Sequence, residues 1–284
     1  MHIGARSAHS TLRSLVTVLA LAALMLAAAG CAKLQARDQL NKGVKAYKAN
    51  KFEQAIEHFK NAIQLDQKLD IAKLYLATAC AAQYVPGGEN EENLRNANCA
   101  IEQFKKVMEA ETTSRSNRML SLKGLGSLYM NMKKFDEANG FFRKATELDP
   151  NDQYNFYSIA VIDWTQAFTA RIALRTELGV KPDEPIKDKK ACQGLKEKSS
   201  EKVEEGMKML QRSIEIQKDY SDAMAYLNLL YRERADIQCD DPEARKADLA
   251  LADEWVEKAK ATMQAKLEKA KEQHGIVMPE KPTQ

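Results

Sequence analysis

The segment from Met119 to Pro150 constrains the fold of this chain more than any other. Small, aliphatic and aromatic residues occupy regularly spaced places in it: Leu125, Gly126, Tyr129, Ala138, Phe142, Ala145 and Pro150. Pro150 has no N–H to donate, so we expect a helix to end there. Seven such residues at regular spacing are unlikely to arise by chance, so we expect further copies of the pattern along the chain.

The same spacing recurs along the chain. Residues 36–67 carry a close copy, with Gln67 in place of the proline and Asn50 at the turn, where asparagine tolerates a left-handed backbone. Its other marker residues are Gly43, Ala55, Phe59 and Ala62. Looser copies are marked by Ala77, Ala100 and Phe104, by Ala160 and Gly206, and by Leu227, Tyr231, Ala252 and Ala259.

The distances between copies are uneven. The small marker residues at positions 55, 100, 138, 206 and 252 are separated by 45, 38, 68 and 46 residues. Insertions are therefore expected near 84–97, 165–200 and 234–247. The longest gap leaves room for a further, degenerate hairpin within 165–200.

These segments resemble the tetratricopeptide repeat, a helix–turn–helix of about 34 residues. The resemblance implies an all-α fold, a right-handed solenoid of antiparallel helix pairs over 36–262 with about five irregular repeats. Gly126 and Ala138 would be small so that two helices can approach closely, while Leu122 stands where the family often has tryptophan. The alternative is a generic bundle of amphipathic helices.

The N-terminus has the order of a secretory signal peptide. Arg6 and Arg13 precede an uncharged run of fifteen residues, 15–29, and no acidic residue occurs among the first thirty. A membrane-spanning helix needs roughly 20 apolar residues, so this run is short for a permanent anchor. An uncut signal anchor is the alternative.

The end of this run, Ala28-Ala29-Gly30-Cys31, resembles the lipobox of bacterial lipoproteins. The resemblance implies that residues 1–30 are removed, that Cys31 is acylated (with palmitate among its acyl chains), and that 31–35 form a lipidated tether. Ala32, which is not aspartate, implies transport to the outer membrane, facing the periplasm. Ala28 stands where the family usually has leucine, and cleavage as an ordinary secreted protein is the alternative.

Four cysteines remain besides Cys31, an even number that permits disulfides in an exported protein: Cys80, Cys99, Cys192 and Cys239. The repeat spacing places Cys80 late on one helix and Cys99 early on its partner, opposite each other across the 84–97 insertion. This favours the pairs 80–99 and 192–239. Free buried cysteines are the alternative. Residues 263–284 are expected to be the end of the last helix and a disordered tail.

Composition excludes several classes of function. The 43 basic and 40 acidic residues are nearly balanced, which argues against a nucleic-acid partner. After removal of 1–30 only His58 and His274 remain among the histidines, and no zinc motif is present, so neither a metal nor another cofactor is expected. The acidic residues alternate with lysines, as in EKVEEGMK, and are expected on solvated helix faces rather than in an enzyme's cleft.

The family resemblance implies a concave face, lined by the first helix of each repeat, that binds a peptide or a partner's helix. The spacing places these residues there: Lys123, Ser127, Asn131, Tyr154, Tyr157, Trp164 and Arg232. Packing of the aromatics beneath 165–200, which would plug the groove, is the alternative. The expected function is a lipid-anchored scaffold for envelope proteins, or else an accessory lipoprotein subunit of an outer-membrane assembly, secretion or pilus machine.

We predict that Cys31 carries the lipid. Cells supplied with a labelled fatty acid should incorporate the label into the wild-type protein and not into Cys31→Ala, because only the thiol can form the thioether. Equal label in both proteins would contradict the prediction.

Overall fold

The structure, a computed structural model, describes residues 30–181 and 184–273. Within these ranges the chain forms ten α-helices and no β-strand, which confirms the all-α prediction. The helices are α1 (30–48), α2 (Phe52–Leu65), α3 (Asp70–Ala82), α4 (Glu91–Glu109), α5 (Arg115–Asn131), α6 (Phe135–Leu148), α7 (Gln153–Leu178), α8 (Lys189–Ile216), α9 (Ser221–Asp236) and α10 (Pro242–Gln273).

Several predictions concern residues at the chain ends. The signal peptide up to residue 29, His274 and the tail from 274 onward lie outside the described residues. Residues 31–35, the predicted tether, are helical and belong to α1. None of the described helices is both long and apolar enough to cross a membrane.

The chain divides into two compact units, one ending at Met132 and the other starting at Lys133. The first contains α1–α5 and the second α6–α10. The boundary falls in the turn that joins the two helices of the 119–150 segment. Each unit has its own buried core.

In the first unit, glycines allow phenylalanines to pack directly on a neighbouring helix. A Cβ atom on Gly43 of α1 would lie 2.5 Å from Phe59 Cε1, and one on Gly124 of α5 would lie 2.4 Å from Phe104 Cζ. At such distances any larger residue would have to displace the phenylalanine ring. The other marker residues of this unit are buried as well: Ala55, Ala62, Ala77 and Ala100.

The 84–97 insertion is shorter than predicted. Only the loop before Glu91 is irregular, and Asn90 caps α4 by accepting a hydrogen bond from the Asn93 N–H at 2.8 Å. The buried Asn93 side chain holds the loop, because its amide donates to the carbonyls of Val85 and Gly88 at 2.8 and 2.7 Å. The sequence showed the Pro-Gly turn but not this asparagine.

Cysteines pair as the sequence favoured. Cys80 on α3 is bonded to Cys99 on α4, with their Cα atoms 6.0 Å apart, and Cys192 on α8 is bonded to Cys239, with Cα atoms 5.5 Å apart. The first bond joins the two helices that flank the loop. Cys99 lies in the third turn of α4 rather than at its start, since α4 begins at Glu91.

In the second unit the prediction of a separate hairpin within 165–200 is wrong. Residues 165–178 continue α7, which is 26 residues long, and 189–200 begin α8, which is 28 residues long. Gly179, with φ 65°, ends α7 in the left-handed conformation. The 234–247 insertion reduces to a five-residue link between α9 and α10.

Buried ion pairs explain why α7 continues so far. Arg171 binds Glu233 of α9 through two hydrogen bonds of 2.7 and 2.9 Å, and Arg175, only 3% exposed, lies 2.7 Å from Asp236. Arg175 also donates to the Glu184 carbonyl at 2.9 Å, in the link that follows α7. The expectation that the acidic residues are solvated is therefore wrong for several of them: Asp163, Glu233, Asp236 and Asp248 are buried.

The helix contact at Gly124 yields a test. Gly124→Ala should lower the free energy of unfolding by about 1–3 kcal/mol, because the added methyl group must displace Phe104. Gly140→Ala is the matched control, since nothing lies within 4 Å of a Cβ at that helical position. It should stabilise the protein by about 0.5–1 kcal/mol. Urea unfolding measures both, and a stabilising Gly124→Ala would refute the contact.

The ion pairs yield a second test. Arg171→Met should destabilise the second unit by about 3–5 kcal/mol, because the Glu233 carboxylate stays buried without its partner. The control is Arg212→Met, which removes an exposed pair with Glu215 and should change stability by less than about 0.5 kcal/mol. Equal losses in the two variants would mean that Arg171 contributes no more than a surface charge.

Candidate protein-binding surfaces

The first unit has a groove between α3 and α5, which we call the α3–α5 groove. Its volume is about 360 Å³. It is lined by Ile71, Leu74, Tyr75, Thr78, Ala81, Phe104, Leu120, Gly124, Ser127, Leu128 and Asn131. Because α3 and α5 are the first helices of successive repeats, this is the place where the family resemblance predicted a binding face.

The chemistry of the groove is an apolar floor with hydrogen-bonding groups beside it. Leu74 and Leu128 are almost fully buried, whereas Leu120 is 49% exposed. The Thr78 hydroxyl is used within α3, where it donates to the Leu74 carbonyl at 2.9 Å. The Asn131 side chain is exposed at the C-terminal end of α5. Such a surface can bury apolar side chains of a ligand and hydrogen-bond its backbone.

Two of the predicted residues of this unit, Ser127 and Asn131, line the groove. Lys123 precedes Ser127 by one helical turn and is half-buried outside the lining. Sequence reasoning missed the contribution of α3, because the second repeat matches the pattern loosely. The spacing of Ile71, Leu74 and Thr78, by three and four residues, was the available signal.

The second unit has a group of six aromatic residues, which we call the aromatic cluster: Tyr154, Tyr157, Trp164, Phe168, Tyr220 and Tyr226. Tyr157 lies 5.3 Å from Tyr220 and 5.4 Å from Tyr226, measured between ring centroids. Trp164 lies 5.2 Å from Tyr226 and stacks on Phe168 at 5.0 Å. The three aromatics predicted from α7 therefore share one side of the helix, as their spacing indicated.

The rings of the cluster pack on one another. Tyr157 and Trp164 are half-buried, and Tyr154 is the more exposed at 36%. Burial raises the pKa of the Tyr157 hydroxyl, and burial together with Asp222 raises that of Tyr220 to about 12. The aromatics of α7 have structural partners in Tyr226 of α9 and in Tyr220, the residue before α9. Of 165–200, the cluster includes only Phe168.

Arg232 lies apart from the cluster. Its guanidinium is 2.7 Å from Asp253 Oδ1 on α10, and it also donates to Asn228 at 3.3 Å. The spacing placed Arg232 on the concave face together with the aromatics of α7, but its guanidinium is paired with Asp253 of the neighbouring helix. It belongs to the α9–α10 packing.

Asp163, next to Trp164, is the most unusual acid of this unit. Its side chain is 2% exposed, and its Oδ2 atom has no hydrogen-bond partner among the described residues. Burial, and then the nearby Glu205, raise the pKa of Asp163 to about 7, against the opposing effects of Lys202 and Arg143. Gly206 of α8 is closely approached by Asp163 and Leu230, since a Cβ there would lie 3.3 Å from Asp163 Cβ.

Metal ligands do not converge at any point within the described ranges, where no group of three or more His, Cys, Asp and Glu side chains is placed to hold an ion. His58 is half-buried on α2, and its Nδ1 atom lies 2.8 Å from Gln39 Oε1. This histidine therefore contributes to the packing of α1 on α2.

Comparison with known proteins agrees with this geometry. The family model of the tetratricopeptide repeat matches residues 120–152. The match spans one repeat, 33 of the 284 residues. The matched residues include most of α5 and all of α6, the two helices of the 119–150 segment. No curated protein matches the sequence of this chain.

Three solved structures of MamA resemble the chain in fold. One has a TM-score of 0.52 at 15% identity and covers 87% of this chain and 98% of that one. A second has a TM-score of 0.51 at 16% identity, covering 80% and 96%. MamA from residue 41 to the end, from Desulfovibrio magneticus RS-1, has a TM-score of 0.51 at 14% identity, covering 81% and 96%. At these identities the likeness is one of fold alone.

The buried carboxyl of Asp163 predicts a pH dependence of stability. Its pKa is higher in the folded than in the unfolded state, so the native state binds the proton more tightly. The corresponding stability is present below about pH 4 and is lost as the pH rises to about 7. Asp163→Asn keeps the shape without the charge. This variant should lose less stability between pH 4 and pH 7 than the wild type does. At pH 8 its second unit should be more stable by about 3 kcal/mol.

Thermal unfolding at pH 4, 6 and 8 measures the effect. Asp219→Asn is a control, because Asp219 is exposed and its pKa is lowered by hydrogen bonding to Gln217. If Asp163→Asn and the wild type lose stability in parallel between pH 4 and 7, Asp163 does not titrate in this range.

Proposed function

We propose that this protein is a lipid-anchored periplasmic scaffold that binds protein or peptide partners at the cell envelope. The fold itself is a helical-repeat scaffold for protein–protein interaction. The proposal adds the anchor, the compartment and the place at which a partner binds.

The α3–α5 groove is the observation that carries the proposal. It combines exposed apolar surface, at Leu120, with hydrogen-bonding side chains at Ser127 and Asn131. Interfaces are made in this way, with an apolar centre that excludes water and a polar rim that fixes orientation. The volume of about 360 Å³ suits a few side chains of a peptide or one face of a helix.

The groove is a better candidate than the aromatic cluster. The rings of the cluster already bury one another, so a partner would gain little further apolar area from Tyr157 and Trp164. In the groove, by contrast, Leu120 has half of its surface in water. Covering this surface gives the larger gain in free energy.

Acylation of Cys31 is supported by two observations. The sequence before it has the order of a lipoprotein signal, and Cys31 is an exposed free cysteine, while the other four are paired with each other. An anchor at Cys31 would raise the effective concentration of the groove for partners at the same membrane.

Binding fits the buried charges better than catalysis does. Glu233, Asp236 and Asp248 each lie within 3 Å of an arginine of the same unit, so these carboxylates hold helices together. Asp163 is covered by α8 and does not face a cleft. A partner-binding role leaves all four in their structural positions.

A photo-crosslinking residue at Asn131, in living cells, tests the groove. We expect it to capture a defined envelope protein, and Leu120→Lys should lower the yield by about tenfold, because an ammonium group would be buried in the apolar groove. Leu94→Lys is the matched control: Leu94, on α4, is 48% exposed and lies outside the groove. It should leave the yield unchanged.

Both variants should keep their helical circular dichroism, since both positions are half-exposed. Equal yields from wild type and Leu120→Lys would place the partner elsewhere. Capture from Tyr154 alone would then point to the second unit.

A further inference from the structure

We propose that α1 lies along the membrane surface, with one face of the helix against the phospholipid headgroups. This inference rests on the proposed acylation of Cys31. It assigns a partner, the lipid surface itself, to a helix face that the α3–α5 groove does not use.

The register of α1 puts the acylation site and a row of exposed residues on one face. Cys31, Leu34, Asp38, Asn41, Lys45 and Lys48 follow one another at intervals of three, four, three, four and three residues, the spacing of a single helix face. All six are exposed. The opposite face carries the buried residues Ala36, Gly43 and Ala46.

The link between lipid and protein is too short to let the first unit swing freely. Ala36, which is fully buried, lies only five residues after Cys31, and the intervening residues are helical. At about 1.5 Å per residue this is a rise of only ~8 Å. Acyl chains that enter the bilayer from Cys31 therefore bring the face that carries Cys31 to the membrane with them.

The chemistry of this face suits an anionic lipid surface. Leu34 is 69% exposed one turn from Cys31, where it can enter the acyl boundary beside the anchor. Lys45 and Lys48 are exposed on this face, and Arg37 and Lys42 are exposed beside it. Asp38 is the one acidic residue of the helix, and Lys42 neutralises it at 2.7 Å.

Charge and apolar surface here determine orientation rather than attachment. Acyl chains alone would hold the protein at the membrane. Lys45 and Lys48 lie about four and five turns beyond Cys31, so phosphates can reach them only when the helix lies flat. A flat α1 fixes which sides of the first unit face the periplasm.

The test measures the distance of α1 from the membrane in the full-length, acylated protein. Asn41→Cys adds one reactive thiol, because Cys31 carries lipid and the other four cysteines are bonded. A fluorophore on this thiol is read in phosphatidylcholine vesicles with about one-third phosphatidylglycerol and a nitroxide headgroup lipid. Gln54→Cys, exposed on α2, is the control position.

We expect the nitroxide to quench the fluorophore at Asn41→Cys at least about twofold more than at Gln54→Cys. Lys45→Glu with Lys48→Glu should abolish this difference. Lys60→Glu with Lys105→Glu, the same change of charge on α2 and α4, should preserve it. Equal quenching at the two thiols, or quenching that survives Lys45→Glu with Lys48→Glu, would overturn the inference.

The mass of the N-terminal peptide separates this outcome from failure of the anchor. An acylated Cys31 with equal quenching refutes the flat orientation and leaves the proposed function intact. An unmodified Cys31 refutes the anchor, and the orientation falls with it.

Discussion

The first unit depends on the contact between Phe104 and Gly124. It brings the ring of Phe104, on α4, so close to α5 that a Cβ atom at position 124 would lie 2.4 Å from it. The same two residues line the α3–α5 groove, so the contact that joins successive repeats also shapes the candidate binding site. Gly43 and Phe59 repeat the arrangement between α1 and α2, and Phe59 in turn stacks on Tyr75 at 5.6 Å between centroids. Packing and binding surface are thus parts of one arrangement.

The second unit is held by a different interaction, buried charge. The C-terminal part of α7 packs on α9. There Arg171 and Arg175 pair with the buried carboxylates of Glu233 and Asp236. Buried ion pairs add little net stability compared with apolar residues of the same shape, but breaking one leaves an uncompensated charge. They therefore specify which helix lies beside which. Both arginines lie in the C-terminal part of α7, by which this helix exceeds the length of a standard repeat helix.

Two kinds of surface result from these two kinds of packing. In the first unit the first helices of successive repeats leave a groove, with Leu120 half in water. In the second unit the corresponding helices, α7 and α9, close their surface with mutually packed rings. A partner can still bury exposed apolar surface in the groove, whereas most of the apolar surface of the cluster is already buried between its rings. The face of α1 is a third surface, whose cations and Leu34 suit lipid rather than protein.

The sequence by itself determined the repeat, the helix class, the small marker residues and the cysteine pairs, because each depends on local spacing. Gly126, Ala138 and Phe142 could be read directly from the 119–150 segment, and Ser127 and Asn131 lie on the α3–α5 groove. Tertiary structure decided the rest. The ring of Tyr157 is half-buried because Tyr220 and Tyr226, over sixty residues away in the sequence, pack on it. Glu233 is buried rather than solvated because Arg171 pairs with it. Such pairings have no periodic signal, since the partner of a buried charge or ring is set by which helices meet in space.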